Sequence, residues 1–129
     1  MKFAREMATA KKFLEEKSHK VFMGPLVNQY VNGKILYKKG KEGAKLKIAH
    51  DLIRVHFRKI EKSDAILVLN YTKGKVKNYI GGNTLIEIGY AFYLGKKIYF
   101  LNPIPNQSYT EELVAMEPII LNGNLSKIK

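Results

Sequence analysis

No cysteine occurs among the 129 residues, so neither a disulfide framework nor a thiolate metal site can be built from this chain. That fits a reducing compartment, and a cytoplasmic location is the expectation. No apolar run approaches the roughly 18–20 residues needed to cross a bilayer, and the N-terminus lacks the basic-then-apolar layout of a secretion signal. Acidic residues are scarce: 11 Asp and Glu stand against 23 Lys and Arg, a formal net charge of +12. Such an excess invites a nucleic-acid partner. Arginine, however, is nearly missing. Only Arg5, Arg54 and Arg58 offer the planar fork that reads base edges, and the lysines are dispersed, with a looser group at Lys73, Lys75 and Lys77. A solvated basic surface is the simpler reading, with attraction of small phosphorylated ligands beside it. Neither nucleic acid nor a membrane is the expected partner. His19, His50 and His56 lack the i, i+4 spacing of a helical metal pair and have no acidic cluster near them, so neither a metal nor another cofactor is expected.

What remains is the make-up of one globular domain over residues 1–129, 46% hydrophobic and 26% charged. Apolar residues at Phe3, Met7, Ala10 and Leu14 predict a first helix to about Lys17. Val21-Phe22-Met23 reads as a short strand ended by Gly24-Pro25. Residues 26–43 form a polar connection with Tyr30 and Tyr37, long enough to be functional or mobile. A second helix is predicted from about Ala44 to Lys62, with Leu46, Ala49, Ile53, Phe57 and Ile60 on its inner face. Ser63-Asp64 opens AILVLN, the continuous apolar run of a buried parallel strand. A lysine-rich loop, 71–80, leads to a third helix over Thr84–Leu94, closed by Gly95. Lys97–Leu101 is the next strand, Glu111–Met116 a short helix and Pro118–Leu121 a last strand. The alternation predicts an α/β domain with a parallel sheet of about four strands covered on both faces.

Ligands of such sheets sit beyond the carboxyl ends of the strands. Asn70, Tyr71 and the Gly81-Gly82-Asn83 turn all fall at that edge. The segment IGGNTLIEIGYAFYLGKKIYFLN places a single carboxylate, Glu87, at the start of an otherwise apolar helix. Backbone N–H groups at a glycine turn can hold an oxygen-rich ligand, and in the first turn the helix dipole favours negative charge. Each residue also has a plainer reading. Thr84 to Glu87 spells a capping box. The two glycines serve positive φ angles or close ligand approach. Asn83 is an N-cap or a sugar contact. Asn70 binds ligand or ties down the next loop, and Asp64 anchors its strand. His56 extends the inner stripe of its helix, or serves as an acid–base group near neutral pH.

SDAILVLN followed by GGNTLIEIGYAFYLGKKIYFLNP resembles the nucleoside 2-deoxyribosyltransferase-like superfamily, through Asp64, Gly81, Gly82, Glu87, Gly89, Ala91 and Gly95. FAREMATAKKFLEEKSHKVFMGP resembles that group's first helix and second strand, so the likeness runs over nearly the whole chain. It implies a Rossmann-like or flavodoxin-like three-layer sandwich and cleavage or transfer at an N-glycosidic bond of a (deoxy)nucleoside or nucleoside 5′-monophosphate. Glu87 aligns with the nucleophile, which forms a covalent glycosyl-enzyme with net retention. It also implies a homo-oligomer, a dimer or larger. Three departures accompany the likeness. The group's first strand, with its ligand loop, is absent, which suggests a shortened version of a longer protein. His56 stands where many members carry an acidic residue. The 70–81 loop is longer and more basic. A non-catalytic nucleotide- or nucleotide-sugar-binding module on the same fold is therefore the competing expectation.

Overall fold

The computed structural model describes residues 3–23, 41, 44, 45, 47, 48 and 51–129. These fall into two compact units, Met1–His56 and Phe57–Lys129. In the first, α1 (Ala4–Glu16) buries Ala4, Ala10 and Leu14, the helically spaced stripe seen in the sequence. Val21-Phe22-Met23 is not a strand: these residues join no ladder, and Phe22 is exposed. Three residues offer too few ladder bonds to hold a strand unless a neighbouring edge stands ready. The connection expected over 26–43, all but Lys41, and the inner-face positions Leu46 and Ala49 lie outside the described residues.

The helix predicted from about Ala44 to Lys62 is interrupted: Ala44, Lys45, Lys47 and Ile48 are helical, Asp51 lies in a turn, and α2 runs Leu52–Glu61. Asp51 takes a left-handed φ of 49°, which no helix continues through, so the apolar phase is reset there. Ile53 consequently faces out, 43% exposed, whereas Ile60 is buried as expected.

The second unit holds a parallel sheet of three strands, in the order β1 (Ala65–Val68), β2 (Lys97–Phe100), β3 (Ile119–Ile120). Helix α3 (Gly82–Tyr93) connects β1 to β2, and α4 (Thr110–Ala115) connects β2 to β3. Among the described residues the sheet thus has three strands where about four were expected. The layout is α/β with an open parallel sheet, in keeping with a Rossmann-like arrangement. Central strand β2 buries Ile98, Tyr99 and Phe100 in succession, so both of its faces are covered there. Ile98 and Phe100 pack with Ile60, Val68, Ile80, Ile88, Ala91 and Leu113 in one cluster. Each large member contributes about 1.5–3 kcal/mol by leaving water. No helix among the described residues is long and apolar enough to cross a membrane.

Candidate functional site

The carboxyl edge of the sheet is built from a repeated ending. Register pairs Val68 with Phe100, and Phe100 with Ile120, so the tripeptides Val68-Leu69-Asn70, Phe100-Leu101-Asn102 and Ile120-Leu121-Asn122 end level with one another. Asn70 is fully buried. Its side-chain amide donates to the carbonyls of Asn102 (2.8 Å) and Pro103 (3.1 Å), and its Oδ1 accepts from the Asn102 N–H at 2.9 Å. The Asn102 amide donates back to the Asn70 carbonyl at 3.1 Å. Both donor hydrogens of Asn70 are thus committed to closing β1 onto the turn after β2. The expected tie was to the next loop; these bonds run instead to the turn after β2. The Leu-Asn ending shared by three strands was a signal available in the sequence, and it points to this clamp.

From that edge the chain makes a short basic finger. Lys73 and Val76 exchange backbone bonds across a turn carried by Gly74 at φ 60°, and the Tyr79 N–H returns to the Tyr71 carbonyl at 3.0 Å. The Lys73 ammonium lies 5.0 Å from the centre of the Tyr79 ring, a cation–π distance. The same ring stands 3.4 Å from where a side chain on Gly81 would begin. Lysine finger, tyrosine face and glycine turn are therefore contiguous.

A second clamp fixes the entry to that turn. Gln107 mimics a neighbouring strand: its Oε1 accepts from the Ile80 N–H at 2.9 Å and its Nε2 donates to the Ile80 carbonyl at 3.1 Å. The Tyr109 hydroxyl also donates to that carbonyl and accepts from Gln107 Nε2 at 2.7 Å. Burial raises the Tyr109 pKa, an effect partly offset by the Gln107 hydrogen bond, and the phenol stays a donor through neutral pH. Gln107 itself is held by Thr110, whose hydroxyl accepts from the Gln107 N–H at 2.8 Å. Nothing in the local pattern around Gln107 announced this role, because the partner lies 27 residues away.

Helix α3 begins two residues before the expected Thr84. Its N-cap is Gly81, no side chain caps it, and its first turn holds no acidic residue. The capping box is thereby corrected: Thr84 already lies inside the helix, so it cannot be the N-cap that Glu87 would answer. Glu87 stands in the second turn, half-buried, about 7.5 Å along the axis from Gly82. This also corrects its expected place in the first turn, where the dipole acts. Neither Gly81, at φ −84°, nor helical Gly82 adopts a positive φ. A side chain at Gly82 would meet nothing within 4 Å. Gly82 and Asn83 are exposed.

Glu87 shares its flank of α3 with Asn83, four residues before it, and Tyr90, three after it. Tyr90 stacks on Phe57 of α2 with ring centroids 4.3 Å apart, and its hydroxyl donates to the Glu61 carboxylate. That hydrogen bond, ahead of burial, raises the Tyr90 pKa. The Lys96 ammonium donates to the Glu61 carbonyl at 3.2 Å. This Glu61–Tyr90 pair is an acid–phenol contact that sequence spacing did not reveal. His56 is half-buried in α2 and belongs to the first unit, whereas Glu87 belongs to the second. Asp64 is exposed, and its carbonyl accepts from the Lys97 N–H at 3.3 Å, which starts the β1–β2 ladder.

No family model, curated protein or solved structure matches this chain. Function therefore rests on the site itself. An open cleft of about 450 Å³ beside α1, lined by Ala8, Lys11, Lys12, Glu15, Glu16 and Met23, lies away in sequence from every candidate residue. Among the described residues no cluster of His, Asp and Glu suits a metal ion.

Proposed function

We propose that this chain cleaves or transfers at the N-glycosidic bond of a (deoxy)nucleoside or nucleoside 5′-monophosphate, with Glu87 as nucleophile. The observation that carries this reading is the uncapped glycine start of α3. Two glycines stand there with no positive φ to require them, and Gly82 has no neighbour to crowd it. What they leave is a set of approachable backbone N–H groups at the head of a 12-residue helix, beside a lysine-bearing finger. That combination suits a sugar hydroxyl or a 5′-phosphate.

One turn further on, Glu87 supplies the only carboxylate of the helix, and helix capping does not account for it. In the first step its oxygen attacks C1′ of the sugar. The C1′–N bond breaks and its electron pair leaves with the base, which takes up a proton. In the second step water, or an incoming base, attacks C1′ and releases the carboxylate, restoring the original configuration. The family likeness carried by Gly81, Gly82, Glu87, Gly89 and Ala91 supports the same chemistry. It extends to a four-strand sandwich and a homo-oligomer, which belong to this proposal too.

The second reading is a non-catalytic nucleotide- or nucleotide-sugar-binding module on the same fold; Asn70, at the carboxyl edge of the sheet, has both amide hydrogens spent on internal bonds and offers none to a reacting sugar. An assay separates the two. The protein is incubated with a panel of deoxynucleosides and their 5′-monophosphates, and free base is followed by chromatography. Release of base supports the enzyme; saturable binding without release supports the module. Gly82→Ala gives a further check. With open space around it, the new methyl is expected to stabilise α3 by up to about 1 kcal/mol. The same methyl beside the helix N–H groups is expected to weaken phosphate-bearing ligands more than neutral nucleosides. Denaturant unfolding and ligand titration read these two effects, and a variant equally affected for both ligand classes contradicts the phosphate part.

A further inference from the structure

Lysines are dispersed along this chain, yet the fold sets three of them on one hairpin. Residues 71–79 close at their base through the Tyr79 N–H and Tyr71 carbonyl, 3.0 Å apart, and at their tip through the Lys73–Val76 pair. Gly74, at φ 60°, and Lys75 are the two turn residues, a tight connection that joins antiparallel strands. The Asn78 N–H also donates to the Thr72 hydroxyl across the hairpin at 3.3 Å. The backbone that carries the lysines is therefore already ordered, which lowers the cost of binding. Lys75 and Lys77 are exposed, and neither has an ion-pair partner among the described residues. Residues 65–86 contain no Asp or Glu. Helix α1 differs: Lys11 and Lys12 each have a glutamate four residues on, Glu15 and Glu16.

We propose that this hairpin docks on the phosphate backbone of duplex DNA. A small ligand's single phosphate would be met by the donors at the head of α3 and by Lys73, whose ammonium sits over the Tyr79 ring beside Gly81. Lys75 and Lys77 are left over, and a nucleic-acid backbone presents them with successive phosphates. All three are lysines, which meet phosphate as point charges and do not fork onto base edges, so sequence is not read. The scarcity of arginine thus argues against base recognition and leaves backbone contact open. A two-stranded ribbon is also a shape that the major groove of B-DNA admits. A single strand would call for open aromatic faces on which bases stack. Here the Tyr79 ring is already engaged by Lys73 and lies against Gly81. An anionic membrane would call for an apolar anchor beside the charges, and the tip offers Gly74 and Lys75, with Val76 half-buried. This contact does not involve Glu87 and stands whether or not the chain is an enzyme.

The test is fluorescence anisotropy of labelled duplex DNA, in two unrelated sequences, titrated with the full chain over a salt series. The expected result is equal affinity for both sequences and a dissociation constant that rises steeply with salt. Lys75→Ala combined with Lys77→Ala removes two phosphate contacts. It is expected to flatten the slope of log affinity against log salt by about 2, and to weaken binding about tenfold or more at low salt, with an unchanged far-UV spectrum. Lys11→Ala combined with Lys12→Ala removes the same charge from α1 and is expected to change binding less than about threefold. An equal loss in both pairs makes the effect one of net charge and overturns the proposal. So does tighter binding of a single strand, a nucleoside triphosphate or a phosphatidylserine vesicle than of the duplex, or no binding of the duplex at low salt.

Discussion

Replacing Glu87 with Ala is expected to reduce base release by at least about a thousandfold while leaving the fold intact. Removing a nucleophile eliminates the covalent route, and the residual rate is what binding and positioning alone supply. The side chain is half-buried, lies in the second turn and plays no part in capping α3. Ala is the better helix former, and unfolding followed beside activity separates the catalytic loss from the loss of whatever the half-buried side chain contributes to stability. The comparison that decides is kcat against KM. A nucleophile's loss appears in kcat, with ligand binding largely retained, because the backbone donors at Gly82 and Asn83 remain. Loss of binding with kcat preserved among the bound molecules would instead make Glu87 a contact for sugar hydroxyls.

Asn70→Leu is expected to have the largest effect on stability, about 2–4 kcal/mol, or roughly 10 °C in unfolding temperature. The side chain is completely buried and makes three hydrogen bonds to the turn after β2. Leucine matches its bulk but leaves the Asn102 N–H and the Asn102 and Pro103 carbonyls without those partners. Asn70→Asp sharpens the reading. A carboxylate still accepts from the Asn102 N–H, yet it faces two carbonyl oxygens with no hydrogen to offer, so much of the loss is expected to persist. Thermal and denaturant unfolding measure both variants. An effect under about 0.5 kcal/mol for Asn70→Leu would show that the clamp is replaceable by water.

The elements that repeat over several residues were legible in the sequence. AILVLN announced β1, KIYFL announced β2, and the stripe of Ala10 and Leu14 announced α1. Features set by one residue's backbone were not. Asp51 breaks a helix through its φ angle, although aspartate is an acceptable helix surface residue. The start of α3 was misplaced because Gly81 caps through its backbone alone, so the side-chain signal at Thr84 misdirected the boundary. Val21-Phe22-Met23 has strand composition but belongs to no strand of the sheet.

The site divides along the same line. Gly81, Gly82, Asn83 and Glu87 are local, and their spacing placed them around one helix start. The Asn70–Asn102 and Gln107–Ile80 clamps join residues 32 and 27 positions apart, and strand register brings the first pair together. The Leu-Asn endings at Asn70, Asn102 and Asn122 were nevertheless written in plain view. Register makes them one edge.

The central chemical claim is that a Glu87 oxygen bonds to the sugar during turnover. It is tested most directly by trapping. A 2′-fluoro-2′-deoxynucleoside, whose electron-withdrawing fluorine slows the second step more than the first, is incubated with the protein, followed by proteolysis and mass spectrometry. The expected result is one fluoro-sugar adduct per chain on the peptide containing Glu87, localised to that residue and absent in Glu87→Ala. Base release from the natural substrates with the adduct on another residue, or undiminished in Glu87→Ala, would contradict it.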